Sequence, residues 1–144
     1  MAWMNFNQIQ DDLVALLTAN ISDAKLIKKE ADERDYAFGN MPLVDVRLTD
    51  MDPTVLAGQN YFVETIFEIQ VTTFDLSDFN EAATLRDTIL GDVIETVRQN
   101  AHFSADLEST IVGPGTFNTA KDENSGAFMA AATVQVQVKA YIDA

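Results

Sequence analysis

Cysteine is absent from this chain and histidine occurs once. The first absence excludes disulfides, thiolate metal sites and thiol nucleophiles, and leaves the redox compartment unencoded. The second removes any zinc site built on paired histidines. A serine triad would have to use His102, and its candidate nucleophiles Ser104 and Ser109 lie in no G-x-S-x-G setting. His102 follows a long predicted helix, where a cation complements the helix dipole. That reading is preferred to a catalytic one. Positive charge is also scarce: 9 Lys and Arg stand against 23 Asp and Glu, a net charge of −14. A nucleic-acid groove needs clustered cations. Here the only cluster is Lys25, Lys28 and Lys29, and Glu30, Asp32 and Glu33 follow it at once. The excess acid reads first as solubility, and more specifically as a face that repels nucleic acid or meets a basic partner. No apolar run approaches the roughly 18 residues of a membrane span. The first residues, with Asn5, Gln8, Asp11 and Asp12, do not read as a signal peptide.

What is present is enough apolar material for a core, 47 % of 144 residues, and the expectation is a single domain over 1–144. Phe6, Ile9, Leu13, Leu16 and Leu17 recur at helical spacing, with Asn5 as N-cap, and predict a helix over 5–19. From 21 to 38 the pattern weakens; residues 24–28 offer a short strand, but the charged 30–35 stretch reads as an exposed connection. Gly39 and Asn40 mark a turn, and Pro42 biases Met41 toward an extended conformation. Alternation predicts a strand over 43–49, a loop through Asp50, Asp52, Pro53 and Gly58, and a second strand over 61–74. Its core face carries Tyr61, Val63, Thr65, Phe67, Ile69 and Val71. Asp78 and Glu81 resemble a capping box at the start of a helix over 79–100, whose Gly91 is read as a point of close packing on the sheet. Residues 107–112 and 116–120 read as two strands broken by Gly113-Pro114-Gly115. A polar turn at 122–126 precedes the clearest strand, 128–142. There Phe128, Ala130, Ala132, Val134, Val136, Val138, Ala140 and Ile142 alternate with a wetter set. The small Ala130 and Ala132 suit a closely packed helix. The order α, β, β, α, β, β, β predicts an α+β fold: a mainly antiparallel sheet with two helices packed on one face.

Acid pairs are too common to single out a site. Asp50 with Asp52, and Asp75 with Asp78, fit turn and capping roles, and neither matches the calcium-loop pattern. Gly113-Pro114-Gly115 lacks the G-K-[ST] and following helix of a phosphate loop. Trp3 and Met4 read equally as a docking arm or as core packing. No cofactor, metal or enzymatic activity is expected. The length of the strands is more informative. A strand of about 14 residues spans roughly 46 Å, whereas a domain of this size has a radius of gyration of about 15 Å. Exposed edges of that length invite pairing with another copy.

The layout also carries a resemblance over nearly the whole chain. An N-terminal amphipathic helix precedes Met41-Pro-Leu-Val-Asp-Val-Arg-Leu, and the long strand Tyr61-Phe-Val-Glu-Thr-Ile-Phe-Glu-Ile-Gln-Val-Thr-Thr-Phe follows. Then come Asn80-Glu-Ala-Ala-Thr-Leu-Arg-Asp-Thr-Ile-Leu and the closing Ala132-Thr-Val-Gln-Val-Gln-Val-Lys-Ala-Tyr. This resembles the tail terminator (tail completion, neck) proteins of long-tailed bacteriophages. The resemblance implies a structural virion protein assembled in the host cytoplasm. It implies a homo-oligomeric ring, usually a hexamer, at the head-proximal end of the tail tube. Such a ring ends tube growth, contacts the tail tube protein and joins the tail to the head–tail connector or stopper protein. DNA passes through its lumen without specific binding, no membrane is involved, and acidic lumen residues would let DNA slide. Ring closure needs a heterologous interface. Loop position nominates Asp50, Asp52, Gln59, Asp122, Glu123 and Asn124 as assembly contacts. The nearest alternatives are another connector component, an adaptor or stopper, and, from a different class, a small non-enzymatic binding domain using the mixed face of the sheet.

Overall fold

The structure is a computed structural model and describes residues 5–57, 60–105, 107–121, 123 and 126–143. In chain order it contains helix α1 (Phe6–Asn20), strand β1 (Leu26–Lys29) and two short 3-10 turns (Glu33–Tyr36 and Phe38–Asn40). Strands β2 (Leu43–Ala57) and β3 (Asn60–Asp75), helix α2 (Phe79–Gln99), and strands β4 (Leu107–Lys121) and β5 (Phe128–Asp143) follow. The strands form a sheet in the order β1-β2-β3-β5-β4, antiparallel throughout except for the parallel β1–β2 pair. This is the expected α+β arrangement.

Local chemistry sets the helix starts. The Asn5 side chain accepts from the Gln8 N–H at 3.0 Å and caps α1. Asp78 caps α2 by accepting from the Asn80 N–H at 2.8 Å, rather than through the reciprocal box anticipated with Glu81. Ile9, Leu13 and Leu17 of α1 and Ile89, Val93 and Val97 of α2 then share a core with one face of the sheet. That face carries Val44 and Val46 of β2, Val63, Phe67, Ile69 and Val71 of β3, and Val134, Val136, Val138 and Ala140 of β5. Each such side chain contributes about 1.5–3 kcal/mol when fully buried. Ala130 and Ala132 are buried and admit α2 closely. Beside them the Thr73 hydroxyl donates to the Ala82 carbonyl at 2.6 Å.

Three sequence expectations are corrected. Residues 50–57 are not a loop but the second half of β2, paired with β3 as far as Ala57. Antiparallel partners hold Asp50 and Asp52 in extended backbone that their turn propensity argues against, and Pro53 is tolerated because this part of β2 lies at the sheet edge. Gly113-Pro114-Gly115 does not split β4. The strand runs through with a register shift between Val112 and Gly115, a bulge that absorbs the proline. Gly91 faces open space on α2 instead of the sheet. The charged stretch after β1 is the exposed connection expected at Glu30, Asp32, Glu33 and Arg34, with Ala31 buried within it. Trp3 and Met4 lie outside the described residues.

Candidate assembly surfaces

The face of the sheet opposite the helices divides into a covered and an open part. At the covered part, Asp45 of β2 is fully buried. Its carboxylate accepts from the Ala31 N–H at 2.8 Å, the Tyr36 hydroxyl at 3.1 Å and the Arg47 Nε at 2.7 Å. Arg47 also donates to the Ala31 carbonyl. Burial, and then the Asp45 charge and hydrogen bond, push the Tyr36 phenol up to about 12. The chain enters this strap at Glu30, which sits in the left-handed region (φ 48°). There its carboxylate accepts from the Gln10 amide at 2.8 Å and the Leu48 N–H at 3.0 Å. The connection is thus pinned to β2 at Asp45 and at Leu48, and on the same face the paired Leu43 and Thr72 are fully buried.

The open part carries Asp50 and Asp52 of β2, Glu64, Ile66 and Glu68 of β3, and Gln135, Gln137 and Lys139 of β5, aligned in rows by the strand register. Carboxylates predominate, with Lys139 lying 3.6 Å from Glu64. Both partners are well exposed, so the pair adds little stability. Beside the β4 bulge, Glu68, Pro114, Gly115, Thr116, Thr133 and Gln135 line a recess of about 290 Å³.

The two sides of the sheet are unlike. On one side β1 pairs with β2 only as far as Val46, and Glu30 takes the Leu48 N–H, so among the described residues no strand flanks β2 from residue 49 onward. On the other side β4 is the outermost strand. The two ends of the sheet differ as well. At the end where β3 meets α2, Phe79 and Phe128 pack with ring centroids 4.6 Å apart, Phe38 and Phe74 at 6.2 Å, and Arg86 stacks over Phe117 at 4.9 Å. The other end is the β2–β3 hairpin.

The nominated contact residues fall at both ends. Asp50 and Asp52 are exposed on the open face toward the hairpin, and Glu123 is exposed beyond the end of β4, beside the aromatic cluster. The register places these two levels, marked by Glu64 and Asp75 of β3, about 36 Å apart. Gln59, Asp122 and Asn124 lie outside the described residues. His102 is exposed past the end of α2, with Nδ1 2.9 Å from the Leu107 carbonyl, where it fastens the loop to the start of β4. Asp75, read as a turn residue, accepts from the Ser77 N–H, the Ser77 hydroxyl and the Asp78 N–H, each at 2.9 Å, which holds its carboxyl below the usual range. Sequence reasoning missed the Asp45 network because a lone Asp in an alternating strand gives no sign that a distant segment will cover it.

Among the described residues, no group of three or more Asp, Glu or His could hold a metal ion, and no helix is long and apolar enough to cross a membrane. No family model matches the chain, and no curated protein matches it. Among solved structures, the chain is similar to one from a structure described as the virion of native gene transfer agent (GTA) particle. The TM-score is 0.51 at 13 % identity, with 96 % of this chain and 99 % of that chain covered. The likeness runs end to end and is one of fold.

Proposed function

We propose that this chain is a structural protein of a phage-like virion, and within it the tail terminator: a ring subunit that ends the tail tube and joins it to the head connector. The observation that carries the proposal is the end-to-end likeness of fold to a chain of a gene transfer agent virion, with almost nothing left over on either side. The unlike sides of the sheet suit a ring, since head-to-tail closure needs two different patches on each subunit. With both helices on one face, the open face is the one available to line a channel. Its carboxylates Asp50, Asp52, Glu64 and Glu68 would repel passing DNA and keep it from adhering.

Deletion of the gene from the particle that encodes it tests this reading, with electron microscopy of the products. A terminator predicts tail tubes of unregulated length that are not joined to heads. Finished tails of normal length without heads would instead assign the chain to an adaptor or stopper. Intact tailed particles would overturn the structural role altogether.

A further inference from the structure

We infer that the outer edge of β4 pairs with the unflanked stretch of β2 in a second copy of this chain, so that the sheet continues from subunit to subunit. The inference rests on the self-assembly reading above and names its contact. Among the described residues, neither edge has a neighbouring strand, and both present the backbone N–H and C=O groups that a further strand would satisfy. Exposed apolar side chains gather on the same two strands. Of the seven large ones among the described residues, Leu48 and Met51 lie on β2, and Ile111 and Phe117 on β4. Joining the edges would shelter Met51 and Ile111, whereas Phe117 lies past the bulge under Arg86.

Direction fits as well. β2, β3, β5 and β4 are antiparallel in succession, so β2 and β4 run opposite ways. A copy placed alongside with the same face forward therefore meets β4 as an antiparallel partner, the more stable pattern. Asp50, Ile66, Gln137 and Ile111 form one row across the sheet, which sets Asp50 of one copy beside Ile111 of the next. A twofold β4–β4 pair suits the strand less well. Pro114 lacks an N–H, and with the Val112–Gly115 shift it would sit near the centre of such a pair. The heterologous arrangement needs only residues 109–112, the regular stretch between the two register shifts of β4.

Because the natural chain has no cysteine, introduced thiols report directly on this contact. In one subunit, Asp50 and Ile111 are three strand spacings apart, about 14 Å, well beyond the Cα separation of about 7 Å that a disulfide tolerates. The Asp50→Cys, Ile111→Cys double variant is expected to give a ladder of covalent oligomers on a non-reducing gel after mild oxidation, while each single variant stays monomeric on the gel. Ile111→Lys, at an exposed position, is expected to keep the wild-type melting temperature and to weaken self-association at least tenfold. A natural chain that assembles while Ile111→Lys leaves assembly unchanged would overturn the edge contact and spare the assembly reading. Covalent dimers from Ile111→Cys alone would overturn it in favour of twofold pairing. A natural chain that is monomeric at every concentration and in the particle would overturn the assembly reading itself.

Discussion

Gly115 sits where β4 crosses β5, and a Cβ placed on it would lie 2.0 Å from the Thr133 carbonyl oxygen. Backbone cannot yield as a flexible side chain does, so Gly115→Ala must displace the bulge. The expected loss is on the order of 1–3 kcal/mol, read as a lower denaturation midpoint at unchanged slope. Gly91→Ala makes the opposite case. A Cβ there meets nothing within 4 Å, and the helix gains about 1 kcal/mol of propensity. In the sequence Gly115 read as part of a break between strands, and Gly91 read as the packed one. What separates them is distance to a strand that is remote in the chain. Tyr36 provides a second test at this scale. Its phenol titrates near 10 when unfolded and at about 12 when folded. Between those values the folded state binds more protons than the unfolded state, so stability falls as pH rises. This contribution is complete below pH 10 and gone above about pH 12. Tyr36→Phe is expected to flatten that alkaline decline in a pH series of thermal melts. It also removes the bond to Asp45, at a cost of about 1 kcal/mol near neutrality.

At the scale of elements, the two faces of β5 give the clearest contrast. Val136 is fully buried against the helices, while Gln135 borders the open recess. Val136→Asp loses about 1.5–3 kcal/mol of burial and adds the cost of an unpaired buried charge, several kcal/mol more. It is expected to leave the subunit unfolded by circular dichroism. Gln135→Asp is expected to fold normally. Strong periodicity made these elements legible. The strand expected over 128–142 is Phe128–Asp143, the helix expected over 79–100 is Phe79–Gln99, and the helix expected over 5–19 is Phe6–Asn20. Errors arose where local residue preference opposed a long-range partner. Asp50, Asp52 and Pro53 read as a loop, yet β3 keeps them extended. Gly113-Pro114-Gly115 read as a break, yet pairing on both sides of it keeps β4 one strand. The β1 segment was visible only as a short apolar run, because its four residues become a strand by lying parallel to β2.

At the scale of the molecule, strand order decides what a neighbour can touch, and strand order is not written in any local motif. Long strands pointed to assembly. Which edges stay open depends on β4 pairing outside β5 and on β1 stopping at Lys29. Of the nominated residues that the structure describes, Asp50 falls at the proposed edge contact, while Glu123 lies at the opposite end of the sheet, where an axial contact would be made in the proposed ring. The proposed ring requires this chain to close head-to-tail on itself. Native mass spectrometry of the purified protein across a concentration series, with negative-stain images of the same sample, tests it most directly. One discrete oligomer with a central channel is expected. A monomer at every concentration, with a single copy in the native particle, would contradict it.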